Sequence, residues 1–330
     1  MSSKQRVIPI VFCINDNYAP YTAVAMASFC HFTKSFIKFY IIHSNITEFH
    51  KKMIEELSNE YKNFSVEFIQ KDIKLYDNLP NIIRKGDFIS KDAYSRLFIP
   101  EIIKEDRVIY SDVDVIALGD ISNALDEELN GKIVGLVEEP DFVDKKQFCK
   151  QHNIETFYYS GFMLIDCNKW REENITEKLI NTIMDRKFSE LCEQIALNCV
   201  LKNDIKKLDN KYCYTNKFCK INDYYTKTDI VIRHFEGDRK PWDYCPCSHN
   251  NIGGVFDWWY FAKKTSFYPF LMQSGVLNTR EIINDNVNII NDNVNISNKI
   301  RKRNRTYFKI VLLSYFICSI CIITLLVFKH

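Results

Sequence analysis

The chain has 330 residues, 46% hydrophobic and 26% charged, with 44 basic against 42 acidic side chains and a net charge of +2. This suits one large α/β domain plus appendages, or two small domains, with a real hydrophobic core. A balance so close to neutral gives no global positive field, so nucleic acid is not expected as a partner.

The opening stretch, MSSKQRVIPIVFCIND, lacks a signal-peptide layout, because its apolar run is short, contains Pro9 and soon meets Asp16. Residues 7–14 form a short apolar run of the kind a buried strand makes, and residues 18–33 carry small and apolar side chains at helical spacing. Residues 36–43 and 64–69 read as strands, with a charged amphipathic helix over 46–61 between them. Residues 107–111, 133–137, 162–166 and 229–233 are further strand candidates, and 169–187 and 190–201 read as helices. The alternation predicts a mainly parallel sheet covered on both faces.

The composition changes after about residue 275. Ile283-Asn-Asp-Asn-Val-Asn-Ile289 is duplicated at once by Ile290-Asn-Asp-Asn-Val-Asn-Ile296. Segment 276–300 reads as a polar linker. The same repeat sets Ile283, Val287, Ile290 and Val294 on one side, a seam that would serve a homodimer. Basic residues cluster at 301–309, and residues 310–328 are apolar and uncharged over about the length a membrane span needs. The expectation is a C-terminal transmembrane helix holding a cytosol-facing domain, 1–275, on a membrane, with the basic cluster on its cytosolic flank. Twelve cysteines are present. Cys13, Cys30 and Cys167 lie in or beside apolar runs and read as free thiols, and Cys245-Pro-Cys247 lacks a second pair at zinc spacing.

Chemistry concentrates in two stretches. In Arg107-Val-Ile-Tyr-Ser-Asp-Val-Asp-Val-Ile116, Asp112 and Asp114 fall where a strand ends, and this D-x-D occurs once in the chain. Two carboxylates there can turn toward one hard divalent ion, Mg²⁺ or Mn²⁺, with Val113 between them packing inward. In His234-Phe-Glu-Gly-Asp-Arg-Lys-Pro-Trp242, His234 offers a third ligand. Gly237 permits close backbone approach to an anion, and Lys240 supplies a point charge suited to phosphate.

With these residues in view, the sequence resembles family 8 of the glycosyltransferases, retaining enzymes of the GT-A fold. Five stretches in order carry the likeness: Val11-Phe-Cys-Ile-Asn-Asp-Asn-Tyr18, Tyr94-Ser-Arg-Leu-Phe-Ile-Pro100, Tyr110-Ser-Asp-Val-Asp114, Tyr159-Ser-Gly-Phe-Met-Leu-Ile-Asp166 and His234 to Trp242. The resemblance implies a UDP-sugar donor, Mn²⁺ or Mg²⁺ on Asp112, Asp114 and His234, the uracil on Asn15 and Tyr18, and further donor contacts from Arg96, Gly237 and Lys240. Glu193 and Gln194 match catalytic-site positions beneath the sugar. Two departures stand out: Tyr159 replaces an amide residue, and Ile195 replaces the second acid of an Asp-Gln-Asp segment. The expected activity is transfer of glucose or galactose to a saccharide or glycolipid acceptor at the membrane. The rival is a non-catalytic nucleotide-sugar-binding or membrane scaffold protein.

Overall fold

The fold was analysed in a computed structural model, which describes residues 6–275 except 73–75, 85–86, 141, 143, 187, 189–191, 216, 219–228, 238–239 and 244–252. The chain divides into two units, Met1–Gly275 and Val276–His330, and the described residues all belong to the first. The expected linker with its duplication and homodimer seam, the basic segment, the apolar run 310–328 and Cys245-Pro-Cys247 lie outside the described residues. Among the described residues no helix is long and apolar enough to cross a membrane.

Strand β1, Val7–Ile14, shows why an unbroken apolar run becomes a strand here. Side chains alternate between the two faces of a sheet. Ile8, Ile10, Phe12 and Ile14 enter one apolar cluster, and Val11 enters a second on the opposite face. Both faces are buried, so the apolar pattern has no polar partner row. Helix α1, Ala19–Phe32, follows with Ala, Val, Met and Phe buried on nearly all sides. β2, Phe36–His43, then pairs in parallel with β1, residue for residue from Val7 against Phe36 to Ile14 against His43. Helix α2, Glu48–Glu55, is amphipathic and starts at Thr47, whose hydroxyl accepts from His50 N at 3.3 Å. β3, Phe64–Gln70, completes this side of the sheet. The expected helix over 46–61 therefore ends as an α-helix at Glu55 and tightens into a 3₁₀ turn over Glu56–Asn59.

A two-stranded ribbon of β4, Ile82–Arg84, and β5, Asp87–Ile89, precedes a 3₁₀ segment, Lys91–Phe98, and the short helix α3, Ile99–Ile102. β6, Arg107–Ser111, returns to the sheet beside β1. Next come β7, Val115–Ala117, helix α4, Ser122–Leu125, β8, Val134–Glu138, and helix α5, Lys145–His152. β9, Tyr158–Asp166, runs antiparallel between β6 and β8. The helix expected over 169–187 is two helices, α6, Cys167–Glu172, and α7, Ile175–Arg186. Asn174 breaks it with a φ of 51°, a left-handed conformation that asparagine tolerates better than most residues. Helix α8, Cys192–Val200, β10, Ile205–Leu208, β11, Ile232–His234, and helix α9, Val255–Ala262, follow.

The main sheet has the order β10-β8-β9-β6-β1-β2-β3, parallel except at β9. One core cluster includes α1 and α9, and the other α6, α7 and α8. The strand candidate at 229–233 appears as β11, shifted to Ile232–His234, and it pairs antiparallel with β7 in a two-stranded ribbon separate from the main sheet, which builds the site.

Candidate active site

β6 ends at Ser111, where the chain turns out of the sheet. Asp112 N donates to Gly161 O of β9 at 2.8 Å, which anchors the turn. Two residues on, the β7–β11 ribbon sets Val115 opposite His234 and Ile116 opposite Arg233. Phe235 N donates to Asp114 O at 2.8 Å, and His234 N donates to Tyr214 O at 3.0 Å. Arg233 is buried at 2% exposure and donates to the carbonyls of Tyr214, His234 and Gly253, so its charge stiffens the ribbon from inside. The result brings His234 to a carboxylate 120 positions earlier, with Nε2 3.1 Å from Asp114 Oδ1. Nε2 lies 3.9 Å from Asp112 Oδ2, and Nδ1 faces Cys213 Sγ at 3.3 Å.

One ligand atom from each of Asp112, Asp114 and His234 lies within 4.8 Å of the others. Two carboxylate oxygens and an imidazole nitrogen suit Mn²⁺ or Mg²⁺, so the residues fit the expected ion. Supporting contacts orient the set. Asp112 Oδ1 accepts from the Tyr110 hydroxyl and pairs with Arg96 NH2 at 3.2 Å. Arg96 lies over the Tyr110 ring at 5.0 Å and donates to Ser160 Oγ at 3.0 Å. Lys240 forms an ion pair with Asp114 Oδ2. Burial alone would raise the Asp114 carboxyl, but Lys240 and His234 hold it well below the usual carboxylate range. Burial would lower the His234 imidazole, yet Asp114 brings it well above its ordinary value. Gly161 is the tightest point: a Cβ there would meet His234 Cε1 at 2.7 Å and Asp112 Oδ2 at 2.8 Å.

These groups line a cavity of about 420 Å³. Of the residues expected from sequence, Asn15, Tyr18, Arg96, Asp112, Asp114, Glu193, Gln194, His234 and Lys240 all line it. Gly237 is not among these lining residues; it has a φ of 87° and a Cβ there would stand in open space. Val113 is buried as expected. Asn15 caps the turn Asp16–Tyr18, accepting from Asn17 N at 3.2 Å. That turn holds Tyr18 at the rim, 44% exposed. Tyr21, one helical turn further, stacks on Trp242 at 3.7 Å and ties the turn after His234 to α1.

Beyond Arg96 and Ser160, Gln194 Oε1 accepts from Ser160 Oγ at 2.9 Å. Glu193 is 4% exposed, and its Oε2 is buried without a hydrogen-bond partner. Burial raises its carboxyl above the ordinary range, against the opposing pull of Arg96. The two departures separate here. Tyr159 lines the cavity with Lys217 Nζ over its ring at 5.6 Å. Ile195 turns away into a small apolar cluster with Cys149, Ile154 and Phe157.

Sequence reasoning missed Asp92, Glu139, Lys217 and Glu236, which also line the cavity. Lys217 pairs with Glu139 and, at 3.8 Å, with Glu236. Glu139 directly follows β8 at the same edge of the sheet, a usable signal, and Glu236 sits inside the stretch already singled out. Lys217 carries no sequence signal, because its position depends on the path after Tyr214. Among the described residues Cys13, Cys30, Cys149, Cys167, Cys192, Cys199 and Cys213 are free thiols.

Two outcomes follow from this geometry. Gly161→Ala will push His234 and Asp112 apart and weaken Mn²⁺ binding by about 10–100-fold, read by calorimetry, with an unchanged melting curve as control. Glu193→Gln will melt at or above the wild-type temperature at neutral pH, by on the order of 1 kcal/mol, because it removes a buried charge without a hydrogen-bond partner at Oε2. A raised carboxyl opposes folding only when ionised, so the advantage must vanish as pH falls below about 4.3 and grow as pH rises. A constant or reversed difference would contradict it.

The comparisons with known proteins agree with the geometry. The family model described as glycosyl transferase family 8 matches residues 9–245. General stress protein A of Bacillus subtilis (strain 168) is 30% identical over 259 residues, covering 73% of this chain and 89% of that protein. A putative glycosyltransferase of Haemophilus influenzae is 31% identical over 256 residues, covering 73% of this chain and 74% of its own length. The crystal structure of the galactosyltransferase LgtC in complex with donor and acceptor sugar analogs superposes with a TM-score of 0.65 at 22% identity, over 78% of this chain and 96% of that one. At that identity the likeness establishes the fold, a GT-A-like α/β arrangement with a mixed, mostly parallel sheet. The chain belongs to glycosyl transferase family 8 and is a glycosyltransferase.

Proposed function

We propose that the protein transfers a hexose, glucose or galactose, from a UDP-sugar to a saccharide or glycolipid acceptor, with retention at the anomeric carbon. The observation that supports this reading is the meeting of Asp112, Asp114, His234 and Lys240 in a cavity that Glu193 and Gln194 also line. On this reading Asn15 and the exposed ring of Tyr18 receive the uracil at the rim. A divalent ion on the two aspartates and His234 would neutralise charge on the diphosphate. Lys240 donates to the departing diphosphate, where a fixed cation in a poorly solvated cavity gives its largest electrostatic effect. Arg96 is engaged with Asp112 and Ser160, so it positions the acid pair rather than gripping the donor.

Glu193 and Gln194 handle the sugar. Glu193, which lines the cavity, accepts a hydrogen bond from a sugar hydroxyl. Gln194 sits beneath the sugar, but a neutral amide is a poor nucleophile. The residues therefore favour attack by the acceptor hydroxyl on the face the diphosphate leaves. The new bond forms between the acceptor oxygen and the anomeric carbon, the bond to the phosphate oxygen breaks, and that oxygen takes the hydroxyl proton. Gly237 takes the left-handed conformation of the turn before Lys240 and leaves open space where a side chain would stand. The apolar run at 310–328 and the basic residues at 301–309 support a membrane anchor that brings lipid-linked acceptors within reach.

Asp112→Asn and Asp114→Asn will each lower Mn²⁺-dependent release of UDP from UDP-glucose or UDP-galactose by on the order of 100-fold or more. Turnover that survives either change would refute the assigned site. Removal of residues 301–330 will shift the protein from the membrane pellet to the supernatant while leaving UDP release intact. A truncated chain that still sediments would rule out the anchor.

A further inference from the structure

Both oxygens of Asp114 are already engaged. Oδ1 lies 3.1 Å from His234 Nε2, and Oδ2 is paired with Lys240 Nζ. Lys240 is held in that place by more than the ion pair. Its Nζ also donates to Phe235 O at 2.9 Å, and its backbone N–H donates to Asp243 Oδ2 at 3.0 Å. Its ammonium lies 6.0 Å from the centre of the Trp242 ring, which is itself stacked on Tyr21. Asp112 differs: Oδ1 is occupied by Tyr110 and Arg96, while Oδ2 faces Gly161 and His234.

The ammonium and a divalent ion therefore compete for one carboxylate. The two cations repel, and with the Asp114 side chain only 16% exposed, water screens that repulsion poorly. A diphosphate changes the balance, because its oxygens offer the ammonium a second acceptor. We propose that Lys240 is an exchangeable counter-ion for Asp114: it neutralises that carboxylate in the nucleotide-free protein, opposes entry of the metal, and moves to the diphosphate when metal and nucleotide enter together. The same lysine then serves two partners in sequence, and metal and nucleotide strengthen each other's binding by equal factors. This inference rests on the metal-binding and diphosphate-binding reading proposed above.

The test titrates Mn²⁺ into the full-length protein and follows free Mn²⁺ by electron paramagnetic resonance, with and without UDP. Wild type will bind Mn²⁺ weakly alone and more tightly with UDP. Lys240→Met, which keeps the hydrocarbon stem, will bind Mn²⁺ alone about tenfold or more tightly than wild type, and the UDP enhancement will shrink by a comparable factor. Lys240→Gln serves as the second variant if the methionine form does not melt cooperatively. Equal or weaker Mn²⁺ binding by the folded variant, with wild type binding normally, overturns this inference alone. A wild type that binds no Mn²⁺ either alone or with UDP overturns the metal-site reading and this inference together.

Discussion

Carboxylates at the end of a buried strand persist as anions only when positive or hydrogen-donating groups meet them, and the rest of this site follows from that constraint. Asp112 is met by Arg96 and Tyr110, and Asp114 by His234 and Lys240. The two sets of partners differ in kind. Those of Asp112 come from β6 and the neighbouring 3₁₀ segment, and Arg96 is further tied to Ser160. Those of Asp114 come from β11 and the turn beyond it. One aspartate is thus braced by the sheet, while the other is balanced by groups a ligand can rearrange.

The fold delivers these partners through two interruptions of its regular pattern. β9 runs against its neighbours inside an otherwise parallel sheet, and this reversal puts Gly161 against the acid turn. β11 leaves the main sheet to pair with β7, which carries His234 to Asp114. Gly161 is required by space rather than by backbone conformation, because any side chain would stand where His234 and Asp112 meet. Buried Arg233 supports the same ribbon by satisfying three carbonyls, so even the scaffold beneath the site uses charge where a smaller apolar side chain would leave polar groups unpaired.

The wall around Glu193 is built differently. Glu193 has a buried oxygen with no hydrogen-bond partner, which costs stability. Lys217, Glu139 and Glu236 add an ion cluster on the same wall, and Tyr159 lies under the lysine. Ile195 packs away from the cavity into a small apolar cluster, whereas Tyr159 and Lys217 line it.

Much was legible in the residues themselves. The apolar runs of β1, β2 and β6 were readable because strands buried on both faces have no polar row to blur them, and the D-x-D was readable because it ends such a run. The order of motifs along the chain showed the family. Local signals were less able to place breaks: Asn174 splits a continuous helical pattern. The convergence of His234 with the two aspartates was expected from the motifs, but tertiary structure alone decided the contact of Lys240 with Asp114 and the presence of Lys217 beside two glutamates. Periodicity along a chain records which face a residue buries, whereas these contacts arise from strand register between distant segments, and register is set by the packing of the whole sheet.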